Sequence, residues 1–198
     1  MRHRLFAVAL ALVPPGAASA VTVDGSWWLA GDALAGSGLE VRVSRRAGDF
    51  GFALADGAAR RLRLFRIWTD EGDVGADDQT AASLVAGFDL PALGRGGSVA
   101  GEVRGREALP FQWGTVDWGA PLEIEVAGGT LSVLLSDKAF GRGALGLSRG
   151  RRSGADVFAS FGFAAGTVST VPLPAGLPLL LAGLGLLGLS ARRRPAAE

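Results

Sequence analysis

An acidic run is the first candidate for chemistry in this sequence. Five carboxylates fall within nine residues, in the order Asp70-Glu71-Gly72-Asp73-Val74-Gly75-Ala76-Asp77-Asp78. Hard cations such as Ca²⁺ take several carboxylate and carbonyl oxygens from a flexible loop, and glycine permits the turns. The candidate calcium ligands are therefore Asp70, Asp73, Asp77 and Asp78. Their spacing fits no EF-hand or RTX repeat, so we predict no metal site but a solvated loop that its like charges keep extended.

Paired carboxylates of the kind that hydrolyse glycosides are a second possibility. Glu123 and Glu125 share one face of a predicted strand, and Glu102 and Glu107 lie nearby in the sequence. However, Glu123 and Glu125 alternate with apolar neighbours, a pattern typical of the solvent face of a half-buried strand. We therefore predict that the chain is not an enzyme, and a carboxylate hydrolase stays a distant alternative.

Tryptophans offer a third kind of site, a stacking platform for sugars. The five tryptophans are Trp27, Trp28, Trp68, Trp113 and Trp118. Trp113 and Trp118 flank Asp117, which would place two rings beside a polar group. A separation of five residues, however, puts the two rings on opposite faces of a regular strand. Core packing is the expected role of most of these rings, and carbohydrate binding stays an alternative function.

One predicted internal loop, Arg149-Gly150-Arg151-Arg152, is locally basic. Such a loop could contact an anionic polymer or a membrane surface, but a solvated turn is the simpler expectation. Between residues 21 and 171 the chain has 15 basic and 18 acidic residues, a net charge of −3. A mildly acidic domain does not have the charge of a nucleic-acid-binding protein.

Residue types that are missing restrict the chemistry further. The sequence has no cysteine, and its one methionine and one histidine are Met1 and His3. Without cysteine the domain has no disulfide framework. Without histidine after position 3 it has no Ser-His or Cys-His nucleophile and no histidine metal site. We predict no cofactor.

Strands are the elements that must position these residues. Alternating apolar and polar residues, separated by glycine-rich turns, predict nine short strands. These are Leu39–Ser44, Phe50–Leu54, Leu62–Ile67, Ser83–Phe88, Ser98–Val103, Gln112–Trp118, Pro121–Val126, Thr130–Leu135 and Val157–Phe163. Nine strands at this spacing predict an all-β fold, a single β-sandwich or jelly-roll-like domain over residues 21–169.

Three local patterns inside this domain lead to more specific expectations. The apolar phase of the third predicted strand switches at Leu64-Phe65, which predicts a β-bulge there. Residues 77–85 are the nearest candidate for a short helix, although Ser83-Leu84-Val85 could equally begin a strand. Gly141-Arg142-Gly143 has the composition of a turn.

The N-terminus has the three parts of a secretory signal peptide. Basic residues at positions 2–4 precede an apolar run at 5–13, and Pro14-Pro15-Gly16 interrupts that run. Ala18 and Ala20 are the small residues that signal peptidase reads, so cleavage is expected after Ala20. Residues 1–20 are therefore predicted to be a signal-peptide helix handled by the Sec translocon and signal peptidase. A short anchor helix is the alternative.

The C-terminus, residues 170–198, combines a proline motif, an apolar helix and a basic cluster. The motif is Val171-Pro172-Leu173-Pro174-Ala175, the predicted transmembrane helix covers 177–191, and Arg192, Arg193 and Arg194 follow. The arginine cluster would hold this end in the cytoplasm and leave the domain outside. The prolines would keep the segment before the helix extended.

This order of motif, apolar helix and arginine cluster resembles the VPLPA-CTERM sorting tail, a relative of the PEP-CTERM tails. The resemblance implies recognition by an exosortase-like membrane protease-transpeptidase, which would remove the helix and pass the domain to the cell surface or extracellular matrix. An ordinary single-pass membrane anchor explains the same physical features. We expect an exported, non-enzymatic envelope protein with the membrane as a partner and extracellular polysaccharide as a further candidate partner.

Overall fold

Strands form almost all of the regular structure in residues 20–166, the part of the chain that the computed structural model describes. The eleven strands of this part are β1 (Ala20–Ala30), β2 (Arg42–Val43), β3 (Ala47–Ala55), β4 (Ala59–Trp68), β5 (Ala82–Leu90), β6 (Arg95–Ala108), β7 (Phe111–Trp118), β8 (Leu122–Val126), β9 (Gly129–Leu135), β10 (Lys138–Ala144) and β11 (Ala155–Ala165). Three single-turn 3₁₀ helices lie between them, at Asp32–Leu34, Pro91–Leu93 and Arg151–Ser153.

The strands form two antiparallel sheets. Sheet A has six strands in the order β10-β7-β6-β5-β1-β3, and sheet B has five in the order β2-β4-β11-β9-β8. The predicted all-β, two-sheet architecture is confirmed. All nine predicted strands are present. The helices predicted for residues 1–20 and 177–191 fall outside the described residues, except for Ala20, which begins β1.

Aromatic side chains join the inner faces of the two sheets. Phe161 on β11 is fully buried, and its ring centroid lies 5.1 Å from that of Phe50 on β3 and 5.9 Å from that of Phe88 on β5. Trp27 on β1 stacks on Phe65 of β4 at 5.8 Å. Each of these pairs links sheet A to sheet B. Burial of such large apolar side chains is the main favourable term that holds two sheets together.

The predicted β-bulge is confirmed in β4. Val157 pairs with Phe65, and the next residue, Phe158, pairs with Arg63, so Leu64 is the extra residue of the bulge. Both Leu64 and Phe65 are buried. The bulge therefore lets two consecutive apolar side chains face the core, which a regular strand cannot do.

Two of the strands were not predicted, and one predicted strand is shorter than expected. β1 was missed, although Val21, Val23, Trp27 and Leu29 all point into the core from alternate positions. β10 was missed because Gly141-Arg142-Gly143 looks like a turn, whereas it is a bulge within the strand. Gly141 has φ 64°, a conformation that glycine adopts without strain.

The other differences concern β2 and residues 77–85. Of the predicted strand Leu39–Ser44, only Arg42–Val43 pairs with β4, because Leu39 and Val41 turn inward to cover one end of the core. In residues 77–85 the strand alternative is correct, since β5 begins at Ala82.

Both ends of the described domain emerge at one end of the sandwich. Ala20, the first residue of β1, pairs with Ala55 at the end of β3. The side chain of the next residue, Asp56, accepts a hydrogen bond of 2.8 Å from the backbone N–H of Ala165. The chain therefore enters and leaves beside the same β3–β4 turn. Within residues 20–166 no helix has the length and apolar character needed to cross a membrane.

Candidate functional site

The acidic run lies against one end of the sandwich and is not extended into solvent. Val74 and Asp78 are buried. The backbone N–H of Val74 donates to Oε1 of Gln112 at 2.9 Å, and the carbonyl of Asp78 accepts from Gly105 N–H at 2.7 Å. Five of the nine residues, Asp70, Asp73, Gly75, Ala76 and Asp77, are exposed, so most of the run is solvated as expected. It is not held extended by its charges, however, because main-chain hydrogen bonds and the burial of Val74 attach it to the domain.

Three of the five carboxylates of this run, those of Asp70, Glu71 and Asp78, have partners within the protein. Asp70 forms an ion pair with Arg42 at 3.2 Å, and Asp78 accepts from Gly75 N–H at 2.7 Å. Glu71 accepts from Glu40 N–H at 2.7 Å. Burial and the neighbouring Asp78 raise the pKa of Glu71 above its ordinary value. Among the described residues there is no group of three or more acidic, histidine or cysteine side chains arranged to hold a metal ion.

The basic loop packs directly on the acidic run. The carbonyl of Gly72 accepts from Leu147 N–H at 2.7 Å, and the carbonyl of Thr69 accepts from Gly150 N–H at 2.8 Å. The guanidinium of Arg149 lies against Gly72, where even a methyl group would collide with it. The two charged segments that the sequence presents as separate candidates therefore form one structural unit.

Arg66 on β4 anchors the basic loop, a role that no local sequence pattern indicates. Its guanidinium donates to the carbonyls of Arg151 at 2.8 Å and Gly154 at 2.7 Å, and to Asp156 at 3.2 Å. A longer bond of 3.3 Å reaches the carbonyl of Arg152. These partners follow Arg66 by 85 to 90 residues, so no motif spacing could reveal the contact.

The four glutamates considered as hydrolase candidates do not form one site. Glu102 and Glu107 lie on β6 of sheet A, whereas Glu123 and Glu125 lie on β8 of sheet B. Glu102 forms an ion pair with Arg104, and Glu125 accepts a hydrogen bond of 3.0 Å from the hydroxyl of Thr130. All four side chains are exposed. A facing pair of carboxylates with a substrate between them is therefore not formed from these residues.

The sugar platform considered for Trp113 and Trp118 is not assembled either. Trp118 faces the core and covers Gly101, while Trp113 lies on the outer face of sheet A with Arg142 at 5.9 Å from its ring. The indole N–H of Trp118 is buried and has no hydrogen-bond partner among residues 20–166. Asp117, between the two rings, is exposed and faces Glu102 across the strands. The five-residue separation therefore places the two rings on opposite faces of the strand, as expected.

The tryptophan that is presented to solvent is Trp28 on β1. Its ring lies across Gly87 of the neighbouring β5, yet 45% of the residue stays exposed. The neighbouring side chains in the same cross-strand row are small, Ala47 on β3 and Ser98 on β6. The consecutive residues Trp27 and Trp28 could have signalled this site, because in any strand one of the two must face outward.

The far end of sheet A has exposed apolar side chains on two adjacent loops. Leu109 is 86% exposed and Leu145 is 84% exposed, and Leu145 N–H donates to the carbonyl of Pro110 at 2.7 Å. Because β6 runs parallel to β1, Leu109 follows β6 at the end of the sheet opposite Ala20.

No protein-family model, curated protein or solved structure that we compared with this chain matches it.

Proposed function

We propose that this chain is an exported envelope protein, a β-sandwich or jelly-roll-like ectodomain followed by a sorting tail. In this proposal the Sec translocon and signal peptidase process residues 1–20. An exosortase-like protease then reads the motif at 171–175 and passes the ectodomain to the cell surface or the extracellular matrix. The proposal rests on the resemblance of the tail to VPLPA-CTERM sequences and on one structural observation.

That observation is the shared position of the two ends of the domain. Ala20 lies opposite Ala55 in the β1–β3 ladder, and Ala165 donates a hydrogen bond to the next residue, Asp56. A domain that follows a signal peptide and precedes a stop-transfer segment has both of its ends at the same membrane during export. When both termini leave from one end of the domain, both can reach the membrane while every strand keeps its place in the folded sandwich. A single cut after it would then release a complete sandwich.

The ectodomain itself is proposed to act without catalysis. The candidate carboxylates are distributed over two sheets, and the acidic and basic segments are bonded to each other. Asp70, Glu71 and Asp78 therefore contribute to the architecture of the domain, and the four glutamates lie exposed on two different sheets. A surface or matrix protein needs a stable exposed domain and an attachment signal, and the described residues supply the first of these.

The two prolines of the tail allow a direct test in the native host. Replacing both, Pro172→Ala and Pro174→Ala, removes the residues that keep the segment before the apolar helix extended. We expect the variant to accumulate as a full-length membrane form, whereas the native chain is processed. The matched control is Pro91→Ala with Pro121→Ala, two exposed prolines of the ectodomain. If the tail variant and the native chain are equally full-length in the membrane, the tail is a plain single-pass anchor.

Carbohydrate binding is a second candidate, favoured by the position of Trp28. An exposed indole ring on a flat sheet offers a surface on which the C–H face of a pyranose can stack. Asp49 on β3 and Asp89 on β5 are the diagonal neighbours of Trp28 on the same face, and their carboxylates can accept hydrogen bonds from sugar hydroxyls. Acidic neighbours favour a neutral polysaccharide over an anionic one.

Affinity electrophoresis in gels that contain soluble neutral glucans, including dextran and hydroxyethyl cellulose, tests this candidate. We expect the native chain to be retarded and Trp28→Ala to migrate as in a gel without glucan. Trp113→Ala is the matched control, since Trp113 is also on the outer face but is covered by Arg142. Equal retardation of all three proteins, or none at all, would remove the support that Trp28 gives to sugar binding.

A further inference from the structure

The four edge strands of the described sandwich differ in how they are protected against pairing with another chain. β2 has two residues, and β8 has five residues with Glu123 and Glu125 among them. β10 contains Lys138 and is interrupted by a bulge between Phe140 and Gly143. Short length, charge and bulges are the features by which native edge strands avoid pairing with other chains.

β3 has almost none of these features. It is nine residues long, Ala47-Gly48-Asp49-Phe50-Gly51-Phe52-Ala53-Leu54-Ala55, and pairs with β1 without a register shift. Asp49 is its only charged residue, and it contains no proline or lysine. Within the described residues β3 is paired on one side only. A long, regular and nearly uncharged edge is a template for strand addition.

The hydrogen-bond phase shows which backbone groups are open. The backbone N–H of Leu29 donates to the carbonyl of Arg46 at 2.8 Å, which marks these two residues as a hydrogen-bonded pair of the β1–β3 ladder. Because such pairs alternate along an antiparallel ladder, the N–H and C=O groups of Asp49, Gly51 and Ala53 point away from β1. These groups form the open edge.

We propose that β3 pairs with β3 of a second copy of this chain, antiparallel and about a two-fold axis at Gly51. This register overlaps all nine residues. It places Gly51 opposite Gly51 of the second copy, and Asp49 opposite Ala53 of the second copy. In each of these pairs the open N–H and C=O groups of one copy face those of the other, so they can form hydrogen bonds with each other.

Two further properties of the sequence of β3 favour a second copy as the occupant. The central register sets no like charges opposite each other, because Asp49 meets an alanine. On the inner face this register forms two identical pairs, each with Phe50 of one copy opposite Phe52 of the other. Both rings are only half-buried in the single chain. Cross-strand aromatic pairs stabilise antiparallel sheets, so the association covers apolar surface that is left open at the edge.

Disulfide trapping tests both the pairing and its register, because the native chain has no cysteine. In the full chain a β-carbon at residue 51 would meet the carboxylate of Asp24, so both cysteine variants are made with Asp24→Ala. In that background Gly51→Cys places two sulfurs at the two-fold axis, where Cα atoms of a hydrogen-bonded pair are about 5.5 Å apart, within disulfide reach. Ala53→Cys is the matched control. Its two copies are four residues out of register, about 13 Å apart, which is too far for a disulfide.

We expect Gly51→Cys to form a covalent dimer under mild oxidation and Ala53→Cys to form at least tenfold less. Adding Ala53→Asp to Gly51→Cys sets an aspartate opposite Asp49 of the second copy in both halves of the pairing, and like charges directly opposite each other should reduce the dimer several-fold. The melting temperature reports that the domain is folded. Equal dimer from both single-cysteine variants would mean random collision and would overturn the proposal. The absence of dimer from Gly51→Cys, or a disulfide with a different protein, would overturn it as well.

Discussion

Replacing Arg66 is the perturbation whose size the structure defines best. Its guanidinium is 25% exposed and bonds the carbonyls of Arg151 and Gly154, as well as Asp156. Arg66→Met keeps most of the aliphatic length of the side chain but removes every donor. The basic loop would then lose its attachment to β4, and the carbonyls of Arg151, Arg152 and Gly154 would be left without this partner.

The expected loss follows from the type and exposure of these bonds. A hydrogen bond to a charged group contributes about 1.5–3 kcal/mol, and neighbouring bonds of one side chain are not additive. Arg63 also pairs with Asp156, at 3.1 Å, so the carboxylate is not left alone. We therefore expect Arg66→Met to lower the free energy of unfolding by about 3 kcal/mol, which in a domain of this size lowers the melting temperature by about 6–12 °C.

Arg63→Met is the matched control, because Arg63 is 46% exposed and makes a single ion pair. Its loss should cost about 0–1 kcal/mol. Thermal unfolding of the purified chains measures both variants. Limited trypsin digestion gives a second measure, because a released loop lets the exposed Arg151 and Arg152 enter the protease as an extended segment. If Arg66→Met unfolds within about 1 kcal/mol of Arg63→Met and its loop is cut no faster, the guanidinium does not hold the loop.

Three further predictions concern other parts of the domain. The pKa of Glu71 is raised in the folded protein, so ionisation of this carboxyl destabilises the fold above its ordinary pKa of 4.5. Glu71→Gln should therefore raise the melting temperature at pH 7, and the melting temperatures of the variant and the native chain should become equal below pH 4.5. Gly101→Ala would place a methyl group 2.6 Å from the ring of Trp118 and should lower the free energy of unfolding by about 1–3 kcal/mol. Urea unfolding measures this loss, and the control, Ala100→Ser on the outer face, should have little effect. Millimolar Ca²⁺ should leave the melting temperature unchanged, and a rise of several degrees that Asp73→Ala abolishes would reveal a calcium site.

Local patterns account for most of the fold that could be predicted. The alternation in Leu122–Val126 and the phase switch at Leu64-Phe65 both depend on neighbouring residues, and both were correctly interpreted as strand and bulge. The glycines of β10 were wrongly interpreted as a turn, because glycine is common both in turns and in β-bulges. Which one forms depends on whether a partner strand lies alongside, and the partner here, β7, is supplied by the tertiary structure.

The candidate sites were harder to predict because they depend on contacts between distant segments. Nothing near Gly72 in the sequence indicates that Leu147 and Arg149 pack on it. The charge of the acidic run suggested solvation, whereas its backbone is bonded to several strands and loops. For the tryptophans, spacing alone correctly separated Trp113 from Trp118, but only the strand order shows that Trp28 lies between small neighbours on an open face.

The most direct test of the sorting proposal is the mass of the mature C-terminal peptide from the native host. Protein from the membrane, surface and secreted fractions would be digested, and its terminal peptides would be identified by mass spectrometry. The proposal predicts a mature chain that begins at Val21 and ends within or next to Val171–Ala175 in the surface or secreted fraction. A chain that is found only in the membrane and still ends at Glu198 would contradict it.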